Sequence, residues 1–208
     1  MMAVGPLMTE HRLIEKLIPQ IRKAVEDARR TGAIDPAFVE FAVDFVRTYA
    51  DRCHHGKEED ILFRELDRKP LEGGLRKTME ELIEEHRTGR RVVGELRRAV
   101  DAYERGGERD KGERQGAREG KREKENAGAL ETVLEKLEFL AEFYPAHIRK
   151  EDDGFFLPCM DYLDDEEQAA MLEEMREFDR SLVHEVYREK MENWAERLDV
   201  DWGRTSAS

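Results

Sequence analysis

The chain of 208 residues is long enough for one good core with a small addition, and its 39% hydrophobic content is enough to pack it. With 41% charged residues and six prolines, the composition suits long solvent-laced helices rather than a strand-rich sandwich, which needs β-branched runs and frequent turns. A formal net charge of −13 opposes nucleic acid and anionic membrane surfaces, two cysteines are too few for a disulfide framework, and no apolar stretch is long enough to span a bilayer, so a soluble protein of the reducing cytoplasm is expected.

Gly5-Pro6 starts a first helix that is expected to run from about Leu7 to Arg30 and to stop at Thr31-Gly32. Met8, His11, Ile14, Ile18, Ile21, Val25 and Ala28 form its apolar stripe, and Pro19 should loosen it by removing a backbone donor. Asp35 as cap and Pro36 at the first helical position open a second helix that continues to about Asp67, before Lys69-Pro70. The third helix, from Leu71 or Leu75 to Tyr103, carries Leu75, Met79, Leu82, His86, Gly89, Val93, Leu96 and Val100 on one face.

Residues 101–128 contain no Leu, Ile, Val, Phe, Met or Trp, but eight acidic and eight basic residues, so they read as a solvated insertion, either disordered or a charged helical extension. A fourth helix resumes near Ala129 with Leu130, Val133, Leu137, Leu140, Tyr144, His147, Glu151 and Phe155 on its stripe, and Pro145 should bend it just before the histidine. Asp164 or Asp165 caps a fifth helix whose apolar side includes Met171, Leu172, Met175, Phe178, Leu182, Val186, Met191 and Trp194. The expected organisation is an all-α up-down four-helix bundle over residues 1–160, a helix over 161–200 packed on it, and a flexible tail at 201–208.

A lone histidine on an apolar helical face is more often a hydrogen-bonded core residue than a ligand. Here histidines recur on four successive helices, and His54 and His147 are each followed four residues later by a carboxylate, Glu58 and Glu151. Residues i and i+4 of a helix lie one above the other and can grip one metal or bridge two. Imidazole and carboxylate together suit divalent iron, manganese or zinc, and two carboxylates from opposite helices can hold a pair of metals a few Å apart.

The register of the second helix is ambiguous, because His55 and Glu59 have the same spacing as His54 and Glu58. The stripe through Val39, Val43, Val46, Ala50, His54, Glu58 and Ile61 competes with Phe41, Phe45, Arg52, His55, Glu59, Leu62 and Leu66. His54 and Glu58 stand as far from Phe63 as His147 and Glu151 stand from Phe156, and on that comparison they are preferred. Glu15 and Glu59 read as surface carboxylates, His184 and Glu185 as exposed, Cys53 as a buried free thiol, and Tyr144, with Tyr49 behind it, as core residues that are also candidates to point at the site.

The segments TEHRLIE, HHGKEEDILF, EEHRTGR and HIRKEDDGFF, in that order, resemble the four helix motifs of the hemerythrin-like, or HHE cation-binding, domain family over most of residues 7–160. The resemblance implies a bundle holding two non-haem irons bridged by an oxo or hydroxo group, with zinc and manganese as lesser candidates. It implies ligands at the matching positions His11, His54, Glu58, His86, His147 and Glu151. Oxygen-carrying hemerythrins have a second histidine four residues after the third-helix histidine, and here that position is Arg90. One metal should then have fewer protein ligands, unless His55 or another side chain fills the gap.

The function expected is binding or reduction of a small diatomic or peroxidic species, O2, peroxide or NO, in sensing, detoxification or iron handling, with catalase-like or peroxidase-like turnover as its enzymatic form. The alternative is a non-enzymatic sensor or store of iron or zinc. No nucleic acid or membrane partner is expected, and the Met- and Trp-bearing last helix is a candidate face for a homodimer.

Overall fold

Gly5–Thr31 forms helix α1, begun by Pro6 in its first turn and ended at Gly32, whose φ of 76° is the left-handed conformation that glycine accepts without penalty. The computed structural model describes residues 2–110, 116–179 and 183–202, with side chains described outside 107–123 and 183–184. Helix α2 opens at Pro36–Phe45, with the Asp35 carboxylate accepting from the Ala37 amide. It continues without a break through two wide π-helical stretches, Val46–His55 and Glu58–Phe63, and closes with Arg64–Asp67.

Helix α3 is Gly73–Asp110 and helix α4 begins at Gly116–Glu151, passes through a π-helical stretch at Asp152–Phe156 and ends with Leu157–Met160. The described parts of the charged insertion therefore continue the two helices that flank it, so α3 runs past Tyr103 and α4 starts well before Ala129. Pro19 and Pro145 both lie inside continuous helices.

Consecutive helices pack side by side, α2 on α3 and α3 on α4, and α4 closes on α1, so the apolar stripes meet in a helical bundle with no strand among the described residues. Its core falls into two clusters. One is built around Ile14, Leu17, Phe38, Phe45, Leu96 and Leu137, the other around Leu7, Leu62, Leu66, Leu82, Phe155 and Phe156. Between the two lies a layer of buried polar residues that no apolar core would contain unless they had partners: His11, His54, His55, Glu58, His86, His147 and Glu151.

The fifth helix expected after the bundle is two helices, α5 at Asp165–Phe178, started by an Asp164/Glu167 capping box, and α6 at Val183–Arg197. One straight rod could not serve both core clusters. Met171, Leu172 and Met175 of α5 fill the cluster near Phe155, whereas Tyr187 and Met191 of α6 fill the one near Phe38. Phe178 and Val186, expected on the apolar side, are exposed, and Trp194 is spent within the chain against Phe38 and Phe41. The side chains of Leu182 and His184 and the tail beyond Trp202 lie outside the described residues.

Candidate metal centre

Each bundle helix delivers its polar residue to the middle layer because that residue replaces a core position on an otherwise apolar stripe. His11 comes from α1, His86 from α3, and His147 with Glu151 from α4. Helix α2 delivers three residues, since π-helical turns place consecutive side chains closer together around the axis than α-helical turns do. His54 and His55 are both buried, and the competition between the two registers resolves into shared occupancy by the histidines. The carboxylates do separate: Glu58 is buried in the centre, and Glu59 lies outside it.

The donor atoms form two groups. His11, His54, Glu58 and Glu151 make one and His55, His86 and His147 the other, and within each group the ligand atoms lie within 4.8 Å of one another. Both carboxylates span the groups. Glu58 Oε1 is 3.3 Å from His54 Nε2, and its Oε2 is 3.2 Å from His86 Nε2. Glu151 Oε2 is 3.2 Å from His11 Nε2, and its Oε1 is 3.2 Å from His147 Nε2 and 3.7 Å from His86 Nε2.

Despite these separations none of the inward atoms is aligned as a hydrogen bond: the Nε2 atoms of His11, His54, His55, His86 and His147 and all four oxygens of Glu58 and Glu151 are buried without a hydrogen-bond partner. Orphaned donors and acceptors cost a protein free energy unless something else satisfies them. Two cations, one in each group, would do so.

The outward nitrogens are occupied by carboxylates. His11 Nδ1 meets Asp152 at 2.8 Å, His54 Nδ1 meets Glu10 at 2.9 Å, His86 Nδ1 meets Glu59 at 2.7 Å and His147 Nδ1 meets Glu85 at 2.8 Å. His55 Nδ1 has Asp51 at 3.6 Å, beyond hydrogen-bonding range. Such carboxylate–imidazole pairs fix the ring orientation so that Nε2 faces inward, the arrangement that stands behind metal-ligating histidines.

The same carboxylates dominate protonation when no cation is bound. Burial alone would depress His11 and His86, but Asp152 and Glu151 lift the first to about 10, and Glu151, Glu58 and Glu59 lift the second to about 11. His55 goes the other way, pushed well below its usual value by burial and by the neighbouring His86 and His147. Burial would raise Glu151, and the three histidines facing it hold it well below the usual carboxylate range.

Behind His54 lies a group that the sequence pattern did not single out. Lys57 is fully buried and donates to Glu10, the carboxylate behind His54, and to Asp179 at 2.6 Å. Asp179 follows α5, so the C-terminal addition reaches the centre through Asp179, Lys57, Glu10 and His54. Cys53 points its thiol at the same Asp179, and burial, with Glu10 and Asp179 nearby, pushes it up to about 12, so it is inert at neutral pH.

Tyr144 is buried and makes no hydrogen bond among the described residues, while burial raises its hydroxyl far above the ordinary range. It lines a cavity of about 390 Å³ that also reaches His55 and opens past Arg90. Tyr49 stacks on Phe45 with 5.0 Å between ring centroids and belongs to the apolar core.

Glu59 is corrected from a surface carboxylate to the partner of His86, because the turn that buries Glu58 leaves its neighbour over the third helix. Asp152, Glu85, Glu10 and Lys57 were not anticipated either. Glu85 and Asp152 adjoin histidine or glutamate positions in the chain, and that adjacency was the available signal; nothing local announces Lys57 or Asp179.

The family model described as the hemerythrin HHE cation binding domain matches residues 2–159. The chain belongs to this family of cation-binding helical bundles, and the buried His/Glu groups are where its donors converge. No curated protein and no solved structure matches the chain. No described helix is long and apolar enough to cross a membrane.

Proposed function

We propose that the protein is a non-haem di-iron protein that binds or reduces a small oxygen or nitrogen species, O2, peroxide or NO. The observation that carries this reading is the sharing of Glu58 and Glu151 between the two donor groups, each carboxylate offering one oxygen to either side. The ligands assigned are His11, His54, Glu58 and Glu151 on one side and His86, His147, Glu58 and Glu151 on the other. His55 joins the second set, in the place left by Arg90.

An all-nitrogen-and-oxygen donor set favours iron over thiolate-seeking metals, with zinc and manganese behind it. When bound, a pair of irons supplies reversible electron transfer and a place for a small ligand to coordinate. The protein's own share is to aim five imidazole Nε2 atoms at one layer, to bring two carboxylates that offset the cations' charge, and to keep bulk water out of that buried layer. The His11 side offers four protein donors and the His55 side five, so the exchangeable position belongs to the His11 side.

Iron-reconstituted protein is expected to hold about two irons per chain, as dinuclear bundle sites do, with near-ultraviolet oxo-to-iron charge-transfer bands under air that change under NO. His54→Ala and His147→Ala should each lose metal and those bands. A protein that stays metal-free, folds equally well with a chelator and ignores both substitutions would overturn the reading. A non-enzymatic iron or zinc sensor is the second reading, favoured by the Asp179–Lys57–Glu10 connection to His54. Steady peroxide turnover by the iron-loaded chain decides for the enzyme, and stoichiometric reaction without turnover decides for the sensor.

A further inference from the structure

The cavity beside His55 has a lining whose charge is opposite in sign to that of the chain as a whole. In a chain of net charge −13, its wall carries four arginines, Arg47, Arg90, Arg97 and Arg98, against a single carboxylate, Asp51. Two of these cations are already committed. Arg90 is held by Asp51 and Glu59 at 2.6 and 2.7 Å, and Arg97 pairs with Glu40 and Asp101. Arg47 and Arg98 have no ion pair among the described residues and are exposed. The Arg98 guanidinium folds back along its own helix, 3.7 Å from where a Cβ on Gly94 would stand, so it lies over the cavity floor.

The remaining wall is apolar, with Val46 and Val93, and the buried Tyr144 adds a phenol that makes no hydrogen bond among the described residues. At about 390 Å³ the space equals about a dozen water volumes, far more than a diatomic gas needs and within the range of pockets for small organic molecules.

We propose that this cavity is a binding site for a small organic carboxylate, its charged end on Arg47 and Arg98 and its apolar body against Val46, Val93 and Tyr144. Guanidinium groups match a carboxylate through paired N–H donors, and two cations without an ion pair among the described residues need break none to take one up. The apolar wall is what selects an organic anion over an inorganic one, since a fully hydrated ion would leave that surface uncovered. The site is separate from the metal ligands apart from His55, so its occupant sits between solvent and the His55 side of the centre.

Benzoate is a suitable probe, with benzamide as its neutral isostere and inorganic phosphate as the anion without an apolar body. With the purified full-length, metal-loaded protein, calorimetry or ligand-observed NMR should register benzoate binding and at least about tenfold weaker binding of both comparison ligands. The double variant Arg47→Gln/Arg98→Gln should weaken benzoate by at least about tenfold with metal content unchanged. Gly94→Leu keeps both charges, improves helix propensity and fills the floor, and should abolish benzoate binding.

The proposal is overturned if benzoate does not bind at millimolar concentration, if benzamide or phosphate binds as well, or if both variants bind benzoate like the parent. Metal content is read separately in every sample. A failure of the anion site thus leaves the di-iron reading standing, and a chain that loads no metal but binds benzoate leaves the anion site standing.

Discussion

His55 occupies the position that a simple helical pattern would give to only one of two adjacent histidines. Its ring stacks over His86 with 3.9 Å between centroids and 12° between planes, and neither of its nitrogens has a hydrogen-bond partner. His55→Gln leaves that side four donors, as many as the other, and should therefore weaken one metal by at least about tenfold without emptying its place, while Glu58→Gln, which removes a shared oxygen charge, should weaken both; stepwise competition with a chelator reads the difference.

The carboxylates behind the rings act at one remove. Asp152→Asn and Glu85→Gln should each weaken metal binding by about 10- to 100-fold, measured by competition with a chromogenic chelator, because the imidazole loses its orienting acceptor.

Protonation supplies a test with a definite sign. His11 and His86 rise from 6.5 to about 10 and about 11 in the metal-free fold. A folded value above the unfolded one adds stability that is full below pH 6.5 and disappears as pH climbs through 10 to 11. Chelated protein should thus lose urea resistance over that window. Metal needs those same rings neutral, so its affinity should rise with pH across the same range, with protons released on binding in an unbuffered titration. Identical slopes for the chelated and loaded forms would contradict this account.

Among the elements, α2 does the most. Its π-helical stretches surround Gly56 and Lys57, and they allow His54, His55 and Glu58 to face inward while Lys57 is buried beneath them. The π-helical stretch of α4 has a parallel consequence: Phe155 and Phe156, consecutive in the chain, are both fully buried, and Asp152 reaches back to His11. A strict 3.6-residue reading assigns one face per helix, which leaves His54 and His55 as competitors in the sequence and puts Phe155 alone of its pair on the stripe.

The Lys57 ammonium lies between Glu10 and Asp179, and removing one member of a buried ion pair leaves an uncompensated charge. Lys57→Met should destabilise the protein by about 3 kcal/mol in urea denaturation. Asp179→Asn, at a carboxylate a quarter exposed, should cost only about 1 kcal/mol.

For the whole molecule, the region matched by the family model ends at residue 159, yet the core does not. Met171 and Met175 complete one cluster, Tyr187 and Met191 the other, and Trp194 covers Phe38 and Phe41. Truncation after residue 163 would uncover these apolar faces and also leave Lys57 without Asp179. We expect the shortened chain to lose at least about 3–5 kcal/mol, comparable to emptying a large core site, and to bind a hydrophobic dye or aggregate. A truncated chain that melts like the full one would show that α5 and α6 are an accessory to an independent bundle.

The all-helical class, the order of the helices, the caps at Gly32, Asp35 and Asp164, and the ligand candidates His11, His54, Glu58, His86, His147 and Glu151 were legible in the sequence. Spacing and turn chemistry signal the helices and caps, and a histidine interrupting an apolar stripe is visible without any fold. The ligand set, with His54 and Glu58 preferred over His55 and Glu59, rests on comparing the two halves and on the family resemblance. The entry of His55 beside His54, the exit of Glu59 to the back of His86, the division of the last helix and the reach of Asp179 to Lys57 were decided only in the tertiary structure. These depend on how wide a helical turn becomes under packing and on which distant carboxylate lies nearest a buried cation. Neither quantity is carried by the periodicity of a single segment; both are set when four helices close on a shared layer of charge.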